Sequence, residues 1–210
     1  YETQVCVVCH NPNLTSSGRG ANPANIKQVE KDKMLAAKLD PANPLTFPEE
    51  SHNFKDLIHG IHAGEVRADH FDFVRDRATS GVFYYDFAEV TFPGILKNCQ
   101  TCHKPGTYGI NLPAGVALST NRITTGTDAS TAAVVAARKT VPNATDVVTT
   151  PAAAACMSCH DNPLAKKHME LNGSVPWWQR DKVAGSFTET CGLCHGAGRL
   201  ADVELVHAKK

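Results

Sequence analysis

Aromatic side chains are scarce in this 210-residue sequence, which has eight Phe, four Tyr and two Trp. Much of its 42% hydrophobic content is Ala and Val instead. A core of such small residues is thin for this length, which leaves room in the interior for something other than side chains. No apolar run approaches the roughly 18 residues that a membrane-spanning helix requires. A basic surplus is also missing: 21 Lys and Arg balance 21 Asp and Glu, which argues against a nucleic-acid partner. Near Tyr1 there is neither a signal peptide nor a lipid-attachment cysteine, so a mature chain or an excised piece is expected. Twelve prolines and fifteen glycines break the chain often.

Cysteine is present, but none is spare. All eight sit in four copies of one pattern: "CVVCH" at 6–10, "CQTCH" at 99–103, "CMSCH" at 156–160 and "CGLCH" at 191–195. A zinc ribbon would place two Cys-x-x-Cys pairs about 15–20 residues apart, and the gaps here are far longer. A thioredoxin-like pair occurs once beside a βαβ pattern, which is absent. Covalent haem c attachment requires a histidine directly after the second cysteine. With ten histidines in 210 residues, four such placements by chance have a probability on the order of 10⁻⁵, so haem c is the reading. Two thiols on one helical turn reach the two vinyl groups of one porphyrin, and the next residue falls beneath the ring. Cys6, Cys9, Cys99, Cys102, Cys156, Cys159, Cys191 and Cys194 are thus the attachment points, and His10, His103, His160 and His195 the proximal iron ligands. Four covalently attached haems would supply much of the missing core.

Each iron has a second axial position. His52, His59, His62, His70, His168 and His207 remain, with Met34, Met157 and Met169 as other possible donors. Six spare histidines for four irons make bis-histidine ligation the economical reading. In "ESHNFKDLIHGIHAG", Ser51 is a candidate N-cap and Gly64 a stop, and Phe54, Leu57, Ile58 and Ile61 recur at helical spacing. His59 and His62 then share a face at i, i+3, about 5–6 Å apart between Cβ atoms. Axial ligands stand on opposite sides of a porphyrin, so these two are expected to serve different, neighbouring haems. His168, on a helix opened by Asn162-Pro163 and ended by Gly173, and His207, on a short C-terminal helix, are the other expected distal ligands. His52 and His70, beside charged neighbours, are expected at the surface.

The remaining segments give a coarser picture. Residues 22–39 read as one helix capped by Asn22. Residues 80–94 are rich in aromatic and β-branched residues and suggest a short hairpin. Residues 113–155 are poor in charge and rich in Ala, Thr and Val, either wrapping porphyrin faces or forming a long irregular loop. The expected fold is a single tetrahaem c-type cytochrome domain over 1–210, made mainly of short α-helices and irregular loops packed around haems, with little β.

The stretches "CVVCHNPN", "NFKDLIHGIHAGE", "VTFPGILKNCQTCHKPGTY", "ACMSCHDNPLAKKHMELNGS" and "ETCGLCHGAGRLADVELVH" together resemble a pentahaem domain of the outer-membrane decahaem cytochromes of metal-reducing bacteria, the OmcA/MtrC family. The resemblance spans nearly the whole chain. It implies bis-histidine haems with distal ligands at His59, His62, His168 and His207. It also implies electron export to metal oxides, soluble metals or flavins, with other multihaem cytochromes as redox partners and self-association open. The implied place is the outer membrane, cell surface or extracellular space, ahead of the periplasm. Family members carry a further Cys-x-x-Cys-His and an "HGG" segment before "CVVCHNP", and flanking β-barrel domains. The chain therefore reads as a fragment lacking its first haem site, or alternatively as a natural tetrahaem protein of the filament-forming kind. A multihaem reductase keeps one iron open, often through a variant motif, and no variant appears here. The expected role is electron transfer rather than enzymatic catalysis.

Overall fold

Prolines and short polar side chains decide where the helices start. The computed structural model describes residues 3–110, 112, 115–183 and 187–207. Its helices are α1 (Thr3–Cys9), α2 (Gln28–Ala36), α3 (Phe54–His62), α4 (Thr131–Ala137), α5 (Pro151–Met157), α6 (Pro163–Leu171), α7 (Arg180–Val183), α8 (Gly192–His195) and α9 (Val203–Val206). Pro151 and Pro163 open α5 and α6, where a missing N–H is no loss. The side chains of Ser130, Asn162 and Asp202 cap α4, α6 and α9, accepting from the N–H of Ala133, Ala165 and Glu204 at 3.2, 3.0 and 2.9 Å.

Residues 22–39 do not form the single helix that their pattern suggests. Asn22 caps only a 3₁₀ turn, Pro23–Asn25, and α2 starts afresh at Gln28. Between them Ile26 lies extended, bridged to Val82 and 4% exposed. Burial of that side chain outweighs the small propensity gain of an unbroken helix.

The fold is mixed, which corrects the expectation of helices and loops with little β. The described residues are 39% helical and 11% strand, with two antiparallel sheets, so helices do not dominate. β1 (Asp72–Asp76) pairs with β2 (Val82–Asp86), Phe73 standing opposite Tyr85 and Val74 opposite Tyr84. The hairpin expected within 80–94 thus keeps only one strand there; its partner, "DFVRD", comes earlier. Gly81, at φ +110°, permits the turn, and its carbonyl accepts from the Arg77 N–H at 2.9 Å. Alternation along the strands sends Val74 and Val82 into a core with Ala21, Ile26, Met34 and Phe47. Phe73, Tyr85 and Phe87 form an aromatic cluster, with centroids 5.4–6.4 Å apart.

The second sheet has the order β3 (Ser119–Arg122), β4 (Val147–Thr149), β5 (Trp178–Gln179). It takes two strands from the charge-poor segment, which is therefore not a plain irregular loop. These strands are too short to show a period-two pattern and are joined only through long-range pairing. Burial of Val148 with Leu118 and Val183 holds them. A charged knot ties residues 15–19 to Glu49, Asp128 and Arg138. Arg19, 2% exposed, pairs with Glu49 at 3.0 Å and Asp128 at 2.6 Å, and Arg138 reaches Glu49 and the Thr15 and Ser16 carbonyls. Among the described residues, no helix is long and apolar enough to cross a membrane.

Candidate haem sites

Every Cys-x-x-Cys-His copy closes one helical turn. The N–H groups of His10, His103, His160 and His195 donate to the carbonyls of Cys6, Cys99, Cys156 and Cys191 at 2.8, 2.8, 2.8 and 2.9 Å. That i to i−4 bond brings the two thiols and the imidazole of each motif around one turn. All eight cysteines are unbridged. Burial, then the charges of Cys191 and Glu189, pushes the Cys156 thiol up to about 11, and burial also raises Cys99, Cys159 and Cys191. Such surroundings disfavour the thiolates that zinc needs, whereas a thioether carries no charge to desolvate. Among the described residues, no group of three or more His, Cys, Asp or Glu is gathered to hold a bare metal ion.

Three motif histidines each face a histidine from elsewhere. His103 stands opposite His59 at 6.0 Å between ring centroids, His160 opposite His207 at 6.1 Å, and His195 opposite His168 at 6.1 Å. A metal–imidazole nitrogen bond is about 2 Å and the ring centre lies about 1 Å further back, so two imidazoles sharing one metal have centroids about 6 Å apart. All three pairs have that separation. Nδ1 of His195 donates to the Ala201 carbonyl at 3.0 Å and Nδ1 of His207 to Val203 at 2.9 Å, which leaves each Nε2 lone pair for a metal. Burial, then the neighbouring His103, lowers the pKa of His59 and keeps it in the neutral form that binds metal.

Short helices deliver these partners: α3 brings His59, α6 brings His168 and α9 ends just before His207. The start of α3 is tied to the first motif, Phe54 N–H donating to the His10 carbonyl at 3.0 Å. It is also tied to the helix of the third, Lys55 Nζ donating to the Pro151 carbonyl at 2.9 Å. Two carboxylates do similar work with no signal in the sequence pattern. Glu189, just before the fourth motif, accepts from the N–H groups of Ala152 and Ala153 at 2.8 and 2.9 Å and so holds the start of α5. Asp161, just after the third motif, accepts from Ala68 and Asp69 at 2.9 and 2.8 Å.

Apolar side chains stand exposed around the motifs: Val7 and Val8 in the first, Leu193 in the fourth, Val206 beside His207. A cavity of about 350 Å³ opens beside Cys191, lined by Phe187, Pro151, Ile110 and Leu112 among others. The donor set, the three imidazole separations and these uncovered apolar faces all fit haem c. A family model described as outer membrane cytochrome MtrC/MtrF-like, domains II/IV, matches residues 1–208. The chain belongs to this family. No curated protein and no solved structure matches it. Membership bears out the resemblance read from the motifs and makes the chain a multihaem outer membrane cytochrome domain.

Four histidines of this MtrC/MtrF-like domain stand outside the pairs. His10 meets Phe54 at 6.4 Å, and His62 meets Phe92 at 5.5 Å. His70 is exposed, as expected. His52 is not: it is 3% exposed, edge-on to Phe73 at 4.6 Å, and its Nε2 has no hydrogen-bond partner among the described residues. Desolvation, then the Arg75 charge, lowers its pKa to about 3. Its carbonyl accepts from Nδ1 of His10 at 3.1 Å, so its backbone orients a motif histidine while its ring packs in the interior. Met34 and Met157 are buried core residues rather than free donors.

Proposed function

We propose that this domain, a single unit over 1–210, conducts electrons through four haems c in extracellular respiration. The eight motif cysteines attach the haems, and His10, His103, His160 and His195 are the proximal ligands. His59, His207 and His168 complete the sites of His103, His160 and His195, and His62 is a further distal donor at the end of α3. Haem c supplies a reversible one-electron couple. The observation that carries this reading is the set of three imidazole pairs at 6.0–6.1 Å, each joining one motif histidine to one non-motif histidine. With imidazole on both faces, the three paired sites would offer no coordination site for a substrate, so electrons would pass there without bond formation.

The chain also keeps the sites close. His59 lies five residues beyond Phe54, about 7.5 Å along α3, which links the first site to the second. Lys55 on the same helix donates to the Pro151 carbonyl at the start of α5, which carries the third motif, and Glu189 beside the fourth motif accepts from Ala152 and Ala153 of α5. Electrons would leave at exposed haem edges for metal oxides, soluble metals or flavins, and arrive from other multihaem cytochromes. Outer membrane membership favours a cell-surface setting.

Intact mass and a reductive titration test the proposal together. The mass should exceed the polypeptide by four haems, alkylation should find no free thiol, and the protein should take up four electrons and return them to a ferric chelate or a flavin. Bound zinc without a Soret band would sink the reading, as would haems that accept electrons and pass none on.

A further inference from the structure

Arg67 is a buried cation whose donors rest on the third motif. Its side chain is 8% exposed, although its chain neighbours Val66 and Ala68 are exposed. Nη1 donates to the carbonyls of Met157 and Ser158 at 3.3 and 2.9 Å. These are the two residues between Cys156 and Cys159, so the guanidinium sits against the turn that carries both attachment sulfurs. Nε donates to the Asp69 carbonyl at 3.0 Å, and the guanidinium lies over the Phe71 ring at 5.4 Å.

A guanidinium keeps its charge at any working pH, and burial lets that charge act more strongly than it would in water. The carboxylate paired with it is Asp161, 3.8 Å from Nε, which is too long for a hydrogen bond. Both Asp161 oxygens accept instead from the N–H groups of Ala68 and Asp69. Asp161 therefore offsets Arg67 only in part. At Cys159, where burial is the main influence on the thiol, the downward pull of Arg67 exceeds the opposing push of Asp161. The opposite end of α5 holds one charge of each sign, Lys55 at the Pro151 carbonyl and Glu189 at the N–H groups of Ala152 and Ala153.

We propose that Arg67 sets the reduction potential of the third haem: held against the turn between Cys156 and Cys159, its positive charge favours the added electron on the iron of His160 and His207. This rests on the haem reading above. Reduction adds one negative charge to that haem, and a fixed cation beside it attracts that charge. The row of haems is thereby biased toward holding an electron at the third site.

Stepwise reductive titration of the four-haem protein, followed by proton magnetic resonance of the haem methyl groups, is the test. His207→Ala identifies the third haem as the one whose methyl resonances move to high-spin positions. One unit charge about 10 Å away, at an effective dielectric of about 20, changes an equilibrium roughly tenfold. At a fixed solution potential, Arg67→Met should therefore lower the reduced-to-oxidised ratio of the third haem about tenfold relative to the other three. Arg67→Lys keeps the charge and should hold the ratio within about threefold of the parent. Asp161→Asn, which removes the offsetting charge and leaves Arg67 in place, should raise it, and this arm decides if Arg67→Met fails to take up four haems. The proposal is overturned if Arg67→Met leaves the ratio unchanged, if Arg67→Lys lowers it as far as Arg67→Met, or if Asp161→Asn lowers it. Absence of a Soret band from the parent protein would sink the haem reading itself, and this proposal with it.

Discussion

The three imidazole pairs share a separation but not an orientation. The rings of His59 and His103 are inclined at 37°, those of His160 and His207 at 68°, and those of His168 and His195 at 81°. Near-perpendicular imidazoles donate to both iron d orbitals of π symmetry alike and leave them nearly degenerate; more parallel ones split them. Frozen-solution electron paramagnetic resonance of the oxidised protein should therefore give, from these three of the four irons, one rhombic low-spin signal and two strongly anisotropic ones. Three matching rhombic signals would contradict the geometry. His52 provides a second residue-scale test. It titrates near 6.5 when unfolded and about 3 in place. Between those values the unfolded chain binds the extra proton, so stability is fully present above pH 6.5 and falls as pH drops toward 3. His52→Leu should flatten that slope by up to about 1.4 kcal/mol per pH unit, measured as denaturation midpoints at both ends of the window. An unchanged slope would mean that His52 is solvated. The sequence identifies the motif cysteines and histidines because covalent attachment dictates their spacing. It does not identify His52 as buried, since a histidine among charged residues reads as surface until the His10 ring is placed above its carbonyl.

Among the elements, α6 is the one most fully legible in sequence, because local chemistry sets both of its ends. Asn162 caps it, Pro163 opens it, and Gly173 follows it at φ +84°. What the pattern does not reveal is why Gly173 matters twice: a Cβ there would lie 2.0 Å from the Thr188 carbonyl. That carbonyl belongs to the lead-in to the fourth motif, where the Thr190 N–H also donates to the Asn172 carbonyl at 2.9 Å. The end of α6 is thus the bearing that sets His168 against His195. Asn162→Ala should cost about 1 kcal/mol of stability and leave the haem spectrum as it was. Gly173→Ala should cost about 1–3 kcal/mol and also convert the His195 iron from low to high spin. A Gly173→Ala spectrum identical to that of Asn162→Ala would show that this contact stabilises without positioning. The sheets were less legible for the opposite reason. β3, β4 and β5 hold two to four residues each, and their pairing spans distant parts of the chain. The hairpin showed one aromatic strand plainly, but its partner "DFVRD" hides its two core residues among charges.

For the whole molecule, charge separates the polypeptide from the haem-loaded protein. The sequence is neutral, with 21 residues of each sign and a sequence isoelectric point of 7.3. An oxidised haem with two neutral imidazoles combines iron at +3 with a porphyrin dianion and two propionates, so each adds about −1 and four add about −4. Full reduction adds about four more negative charges without moving an atom of the chain. The protein should therefore focus its oxidised, electron-poor form less strongly on cations than its reduced, electron-rich form. Reduced protein meets cationic or metal-bearing acceptors under the stronger attraction, and the oxidised product leaves them under a weaker one. Isoelectric focusing of the oxidised holoprotein should give a value below 7.3, and the rate of reoxidation by a cationic ferric chelate should fall as salt is raised. With an anionic chelate the salt dependence should reverse sign, because screening then removes a repulsion. An isoelectric point at or above 7.3 in protein that carries all four haems would contradict the charge sum. Equal salt slopes for the two chelates would mean that electrons leave from a part of the surface the haem charges do not reach.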